Sequence, residues 1–268
     1  PGERGTTRRG QRGGVGDRGT NRTVEGRFWL KPTPETTAVV GAWLAYAAER
    51  FGIERYAFVA LSNHVHLLLR APQGNLADFM AYWQGNVAKG VNALHGRRGP
   101  PWQRRYSAEP VLDPEALLDR AGYVLANPVL AHLVARPEQW PGLSGIGQIL
   151  GQTAPTFVLF RATAWRAAGC PADRRPFEQA VCLRVSRLPG FEGLSDAQYR
   201  DRGGAANQPG LAGLARGQGP VAALPRPCRC GRGCQGRKHR GWRRVVGVGS
   251  AEPGTSQSHD RSGLLSVA

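Results

Sequence analysis

The sequence is short of acid, of cysteine and of long apolar runs. Across 268 residues, 19 Asp and Glu face 36 Lys and Arg, and there are five Cys and a single Met. No stretch reaches the ~18 consecutive apolar residues of a membrane span, and the first residues lack the apolar core of a secretion signal. A soluble, cytoplasmic protein with no membrane partner is therefore expected. An odd number of cysteines without such a signal argues against a disulfide framework, and Cys170 and Cys182 stand alone. Cys228, Cys230, Cys234 and His239 are spaced C-x-C-x3-C-x4-H, which fits none of the usual zinc-finger patterns. There is no H-E-x-x-H and no H-x-H-x-D, so a hydrolytic zinc centre would lack its third strong ligand. His95 and His132 are the remaining histidines of the central region.

What is abundant is positive charge, +17 in all, and it is unevenly spread. Residues 1–22 carry six Arg against two acids, and residues 203–268 carry ten Lys and Arg against two. Both ends are rich in Gly, Arg, Pro and Ser without sustained periodicity, so disordered basic tails are expected over 1–20 and 203–268. Between them a folded domain is expected over 21–145, followed by a helical extension over 146–202. The moderate basic excess of the centre suits a domain with a basic groove.

The centre has a clear rhythm. A weak strand in "RTVEGRFWLKP" precedes "TPETTAVVGAWLAYAAERFG", which opens on Thr and acid and carries apolar residues at helical spacing. "RYAFVAL" and "HVHLLLRAP" are two strands divided by the turn "SN", and "NLADFMAYWQGNVAKGVNALHG" is an amphipathic helix. A basic loop, "RRGPPWQRRY", leads to a strand in "SAEPVLD". The order is βαββαβ, an α+β fold of the ferredoxin-like split-βαβ kind, with helices on one sheet face and the other free. A further helix begins at Asp113, and Pro128 limits its run. Tyr123 and Asn127, four apart on that helix, share a face.

His64 and His66 sit one residue apart in the most strand-like segment of the chain. Side chains two apart on a strand project together, so the pair converges from one rigid element, and two neutral imidazoles make a metal half-site. In the basic loop, Arg97, Arg98, Arg104 and Arg105 are interleaved with Trp102 and Tyr106. That mixture suits phosphate contacts with base stacking on single-stranded or hairpin DNA.

"LSNHVHLLL" resembles the HUH motif (His, bulky apolar, His) of single-tyrosine transposases, and "YVLANPVLAHLV" is similar to the helix that carries their nucleophilic tyrosine. With a "PWQRRY"-like segment between them, the chain resembles the REP-associated tyrosine transposases. The likeness spans roughly 20–145 and continues more faintly through "LPGFEGLSDAQYRDR". It implies an HUH endonuclease domain with an added tyrosine helix, in which His64, His66 and Asn127 hold one Mg²⁺ or Mn²⁺ and Tyr123 attacks phosphorus. Hairpin-flanked DNA would be cut and rejoined through a 5′-phosphotyrosine link, by a monomer or a homodimer. The competing readings are a non-catalytic hairpin-DNA-binding protein and, more remotely, a zinc hydrolase.

Overall fold

Thr33 and Pro34 open the first helix as the sequence leads one to expect. In the computed structural model, which describes residues 15–199 and 201, the Thr33 hydroxyl accepts from the Thr36 amide at 3.2 Å at the start of α1 (Pro34–Phe51). Gly52 ends it in the left-handed conformation, φ 63°. Around α1 run β1 (Gly16–Arg22), β2 (Glu54–Ala60), β3 (His64–Arg70), α2 (Leu76–Leu94) and β4 (Ser107–Val111). The strands lie in the order β2-β3-β1-β4 with every neighbouring pair antiparallel. This is the split-βαβ arrangement expected.

The first strand is not where the sequence suggested. "RTVEGRFWLKP" supplies only the last residue of β1 and a short 3-10 turn, Val24–Gly26, while the strand occupies Gly16–Arg22, part of the segment assigned to a disordered tail over 1–20. The physical reason is position. β1 is central, laddered to β3 on one side and to β4 on the other, so its neighbours supply the pairing that its Gly and Arg content does not advertise. Its glycine is functional in packing: a Cβ on Gly16 would sit 2.9 Å from Leu117 Cδ1. The remainder of the two tails, with Cys228, Cys230, Cys234 and His239, lies outside the described residues.

One sheet face is covered by α1 and α2. Phe58, Val65, Leu67 and Leu69 meet Leu44, Ala45 and Ala48 of α1 and Phe79, Trp83 and Val87 of α2 in one buried cluster. The opposite face, expected to be free, is also covered. α3 (Pro114–Leu130) and the single turn α4 (Ile146–Ile149) lay Leu117, Val124, Leu125, Ile146 and Ile149 on Val59, Leu61, Leu68 and Val111. β2 is apolar at consecutive positions from Tyr56 to Ala60, so it presents apolar side chains to both faces of the sheet and both need cover there. α3 starts at Asp113, whose carboxylate accepts from the Ala116 amide at 2.7 Å, and it runs two residues past Pro128. Its end is closed by His132 at φ 55°, with the Leu133 amide reaching back to the Pro128 carbonyl at 2.9 Å.

Residues 146–202 are not the helical extension expected. β5 (Thr156–Phe160) and β6 (Glu178–Cys182) form a separate antiparallel pair, with a short α5 (Ala162–Ala167) between them. "TFVLF" is apolar, β-branched and aromatic, and it alternates exposure in the strand manner. Phe157, Leu159, Val181 and Leu183 join the cluster under α1, and Gly41 makes room: a Cβ there would lie 2.6 Å from the Phe157 ring. The segment before it lines the edge of β2 through Ala60 N–H to Leu143 at 2.9 Å and Gly145 N–H to Phe58 at 2.9 Å.

Candidate active site

Residues directly opposite one another on antiparallel strands project to the same face. The register therefore groups the site in rows. Arg22 stands beside His64, Thr20 beside His66, and Arg18 beside Leu68, while across β1's other edge Ser107 faces Thr20 and Glu109 faces Arg18. The histidines and these β1 side chains stand on the face that α3 covers, where the Tyr123 ring meets His66 and Arg18.

His64 and His66 have ring centroids 4.9 Å apart at 79°. The Tyr123 ring lies 6.1 Å from His66, also edge to face, at 89°. Asn127 is 7% exposed and donates its side-chain N–H to the Tyr123 carbonyl at 2.9 Å. That bond orients the amide and leaves its Oδ1 without a hydrogen-bond partner among the described residues. The fold thus brings the rings of His64, His66 and Tyr123 together between β3 and α3, with Asn127 one turn further along α3 and bonded to the Tyr123 carbonyl.

Each imidazole is anchored through Nδ1. Asn63 donates its amide N–H to the Gly26 carbonyl at 3.1 Å, so its Oδ1, 2.6 Å from His64 Nδ1, accepts the Nδ1 proton. The Thr20 hydroxyl stands 3.2 Å from His66 Nδ1. In both rings the anchored nitrogen is Nδ1 and Nε2 has no hydrogen-bond partner among the described residues; in His64 the Asn63 contact puts the proton on Nδ1 and leaves the lone pair on Nε2, the usual preparation of a ligating histidine. His66 is 6% exposed, and its Nε2 is buried with no partner. A buried polar atom left unmatched costs on the order of 1–3 kcal/mol; His66 Nε2 is one of eight such side-chain atoms among the described residues.

Charge reinforces this. Burial first, then His64, Arg18 and Arg22, push the His66 imidazole down to about 3. Burial and Arg22 push His64 down to about 4. Both rings are neutral near neutral pH, the state in which imidazole binds a metal. Among the described residues no three His, Cys, Asp or Glu side chains cluster as a metal site, so a cation here would rest on the two histidines, the Asn127 amide oxygen and atoms of its substrate or water.

Four residues of the site escaped the sequence reading: Arg18, Thr20, Arg22 and Glu109. The Glu109 carboxylate receives Arg18 through both Nε and Nη2, and Arg120 Nη2 at 3.2 Å, and Arg18 holds the carboxyl below the usual range. The Arg18 guanidinium carbon lies 5.4 Å from the Tyr123 ring centroid. The signal that could have found the first three is the period-two spacing of Arg18, Thr20 and Arg22 in "RGTNR", the mirror of His-x-His.

The basic loop divides. Arg98, Arg104 and Arg105 are exposed. Arg97 is tied to Asn92 at 2.7 Å and lies over the Trp29 ring at 4.7 Å. Trp102 is an anchor: its indole N–H donates to the Gln84 carbonyl at 3.0 Å, and its ring packs beside Trp83. Tyr106 is partly buried on the same cluster. The Gln103 amide bonds the Arg22 carbonyl at 2.9 Å, so the loop leaves the sheet directly beside His64's row. His95 is occupied with the Trp29 carbonyl at 2.9 Å, and His132 serves the end of α3.

No protein-family model and no curated protein matches the sequence. Among solved structures, the chain is similar to a REP-associated tyrosine transposase bound to a REP hairpin, at 20% identity and a TM-score of 0.44 over 52% of this chain and 81% of that one. It is also similar to a transposase candidate from Deinococcus radiodurans R1, at 21% identity and a TM-score of 0.31 over 40% of this chain and 87% of that one. At these values no residue role passes from either protein to this chain.

Proposed function

We propose that the protein is a divalent-metal-dependent DNA-strand endonuclease of the transposase kind, with Tyr123 as nucleophile, acting on single-stranded DNA flanked by hairpins. The observation that carries this reading is the buried, unpartnered Nε2 of His66, in a ring 4.9 Å from that of His64 and 6.1 Å from that of Tyr123.

Two neutral imidazoles and one amide oxygen are a donor set that Mg²⁺ or Mn²⁺ accepts while keeping positions for phosphate oxygens and water, so His64, His66 and Asn127 fit as its holders. When bound, such a cation supplies charge neutralisation at a phosphodiester. The chain does the rest. Thr20 and Asn63 hold the two rings, Asn127 binds the Tyr123 carbonyl, and the nucleophile is thereby tied to the same helix turn as the ligand. Tyr123 Oη forms the new bond to phosphorus as the bond to the 3′ oxygen breaks. The phenol gives up its proton and the departing 3′ oxygen takes one up, leaving a 3′-hydroxyl and a 5′-phosphotyrosine. Retained phosphodiester energy makes rejoining independent of a nucleotide cofactor.

The test is incubation of the full chain with labelled single-stranded hairpin oligonucleotides, with Mn²⁺ or with chelator. Metal-dependent nicking that leaves 3′-hydroxyl ends supports the reading. Tight hairpin binding with no nicking at any divalent ion concentration would instead establish a binding protein.

A further inference from the structure

We propose that β1 is a phosphate-binding strand, in which Arg22 and Arg18 each hold a separate phosphate of a DNA single strand laid along the His64–His66 row. The proposal rests on the reading of that row as a DNA-cleaving centre.

Arg22 is exposed and stands beside His64, and its guanidinium has no hydrogen-bond or ion-pair partner among the described residues. Its planar fork is therefore unspent, and that fork matches phosphate oxygens two at a time. Arg18, 24% exposed, is committed through Nε and Nη2 to Glu109, and its Nη1 has no partner. Glu109 is already shared with Arg120, so the trio keeps a net positive charge. The single carboxylate of β1, Asp17, lies at the opposite parity and projects to the far face. No unmatched acid on β1 or β4 therefore competes for the site.

Spacing assigns the two cations different phosphates. Arg18 and Arg22 are four residues apart on one strand face, about 13 Å along the strand. Arg18 is drawn toward β4 by Glu109, while Arg22 stands where the basic loop leaves the sheet. Thr20 lies between them and is spent on His66. A strand running from Arg104 and Arg105 past Arg22 would pass the partly exposed His64 and bring its next phosphates toward Arg18 and Tyr123. The purpose of an Arg-x-Thr-x-Arg strand in the centre of a sheet is then to present two charges and a ring-anchoring hydroxyl on one face.

The experiment uses the full chain carrying Tyr123→Phe, so that binding is read without cleavage. The ligands are a panel of DNA hairpins with single-stranded flanks, each with one flank linkage replaced by a neutral methylphosphonate. Affinity is followed by fluorescence anisotropy over a salt series. Arg22→Ala should weaken binding about tenfold and lower the salt slope by about one unit. It should also abolish the penalty for neutralising one particular linkage, and Arg18→Ala should abolish the penalty at a different linkage. Arg22→Lys should restore the slope. Since Arg22 is exposed and unpartnered, its variants report binding even where Arg18→Ala loosens the sheet. An Arg22→Ala protein with unchanged affinity, or with every linkage penalty intact, overturns the proposal. Failure of the unsubstituted chain to nick DNA, with the linkage pattern present, removes the nuclease reading and leaves the strand site standing. Nicking without the pattern removes the strand site alone. Binding to no hairpin removes both.

Discussion

Tyr123 and His66 meet edge to face across the gap between α3 and β3, 6.1 Å between ring centroids and 89° between planes. That contact sets the ring of the proposed nucleophile against the buried His66 imidazole. It also makes the tyrosine ring part of the packing, with the Arg18 guanidinium 5.4 Å from its centroid. Tyr123→Phe keeps both contacts and loses only the hydroxyl. The variant should melt within about 0.5 kcal/mol of the unsubstituted protein, bind hairpin DNA unchanged, and nick none of it. Nicking at the unsubstituted rate would remove Tyr123 from the chemistry.

The two histidines should part company in stability. His64 is partly exposed at the strand end, whereas His66 is 6% exposed beneath α3. His64→Ala should change melting little, while His66→Ala should cost about 1–3 kcal/mol from the space it empties. Both should abolish cleavage. Mn²⁺ should raise the melting temperature of the unsubstituted protein, because a ligand of the folded state alone stabilises it, and should leave both variants unmoved. Equal stabilisation of His66→Ala by Mn²⁺ would place the cation elsewhere.

Without divalent metal, stability should fall as pH drops below the ordinary imidazole value. Burial lowers the folded-state values of His64 and His66 to about 4 and about 3, while the unfolded chain titrates near 6.5. Above 6.5 both states are neutral and the pair contributes no pH dependence. Below it the unfolded chain takes up protons that the folded chain refuses, so stability is lost progressively from pH 6.5 toward pH 4. Calorimetric melting across that window should show the decline. The double variant His64→Gln with His66→Gln should show a flatter profile, and an equally steep one would assign the loss to other groups.

The basic loop should separate into anchor and contacts. Trp102→Ala removes an indole packed on Trp83 and bonded to Gln84, and should cost about 3 kcal/mol of stability. Arg104→Ala with Arg105→Ala touches exposed side chains. It should leave melting within about 0.5 kcal/mol and lower the salt slope of hairpin binding by about two units. A Trp102→Ala protein as stable as its parent, with weakened DNA binding, would make that ring a stacking platform instead.

How much of this was legible in the sequence depended on whether the signal was local. α1, β2, β3 and α2 carry their own periodicity and caps, Thr33 and Gly52 among them, and lie within a residue or two of where the spacing places them. His-x-His and Tyr-x3-Asn could be seen because strand and helix periods are short. β1 was hidden because its partners, not its own residues, make it a strand: Gly16 packs under Leu117, a contact 101 positions away in sequence. With β1 went Arg18, Thr20 and Arg22. The covering of the second sheet face by α3 depends on how a helix 44 residues beyond β3 returns, which no local pattern states. Trp102 reads like an exposed aromatic among arginines, and only the fold shows its N–H satisfied by Gln84.

The central claim is that Tyr123 becomes covalently joined to DNA. The full chain is to be mixed with single-stranded hairpin oligonucleotides and Mn²⁺, quenched in denaturant, and its peptides mapped by mass spectrometry. The account predicts a denaturant-stable protein–DNA adduct carrying the 5′-phosphate on the Tyr123 peptide, absent with chelator and absent from Tyr123→Phe. Cleaved DNA with no protein attached, or an adduct on any other tyrosine, would contradict it.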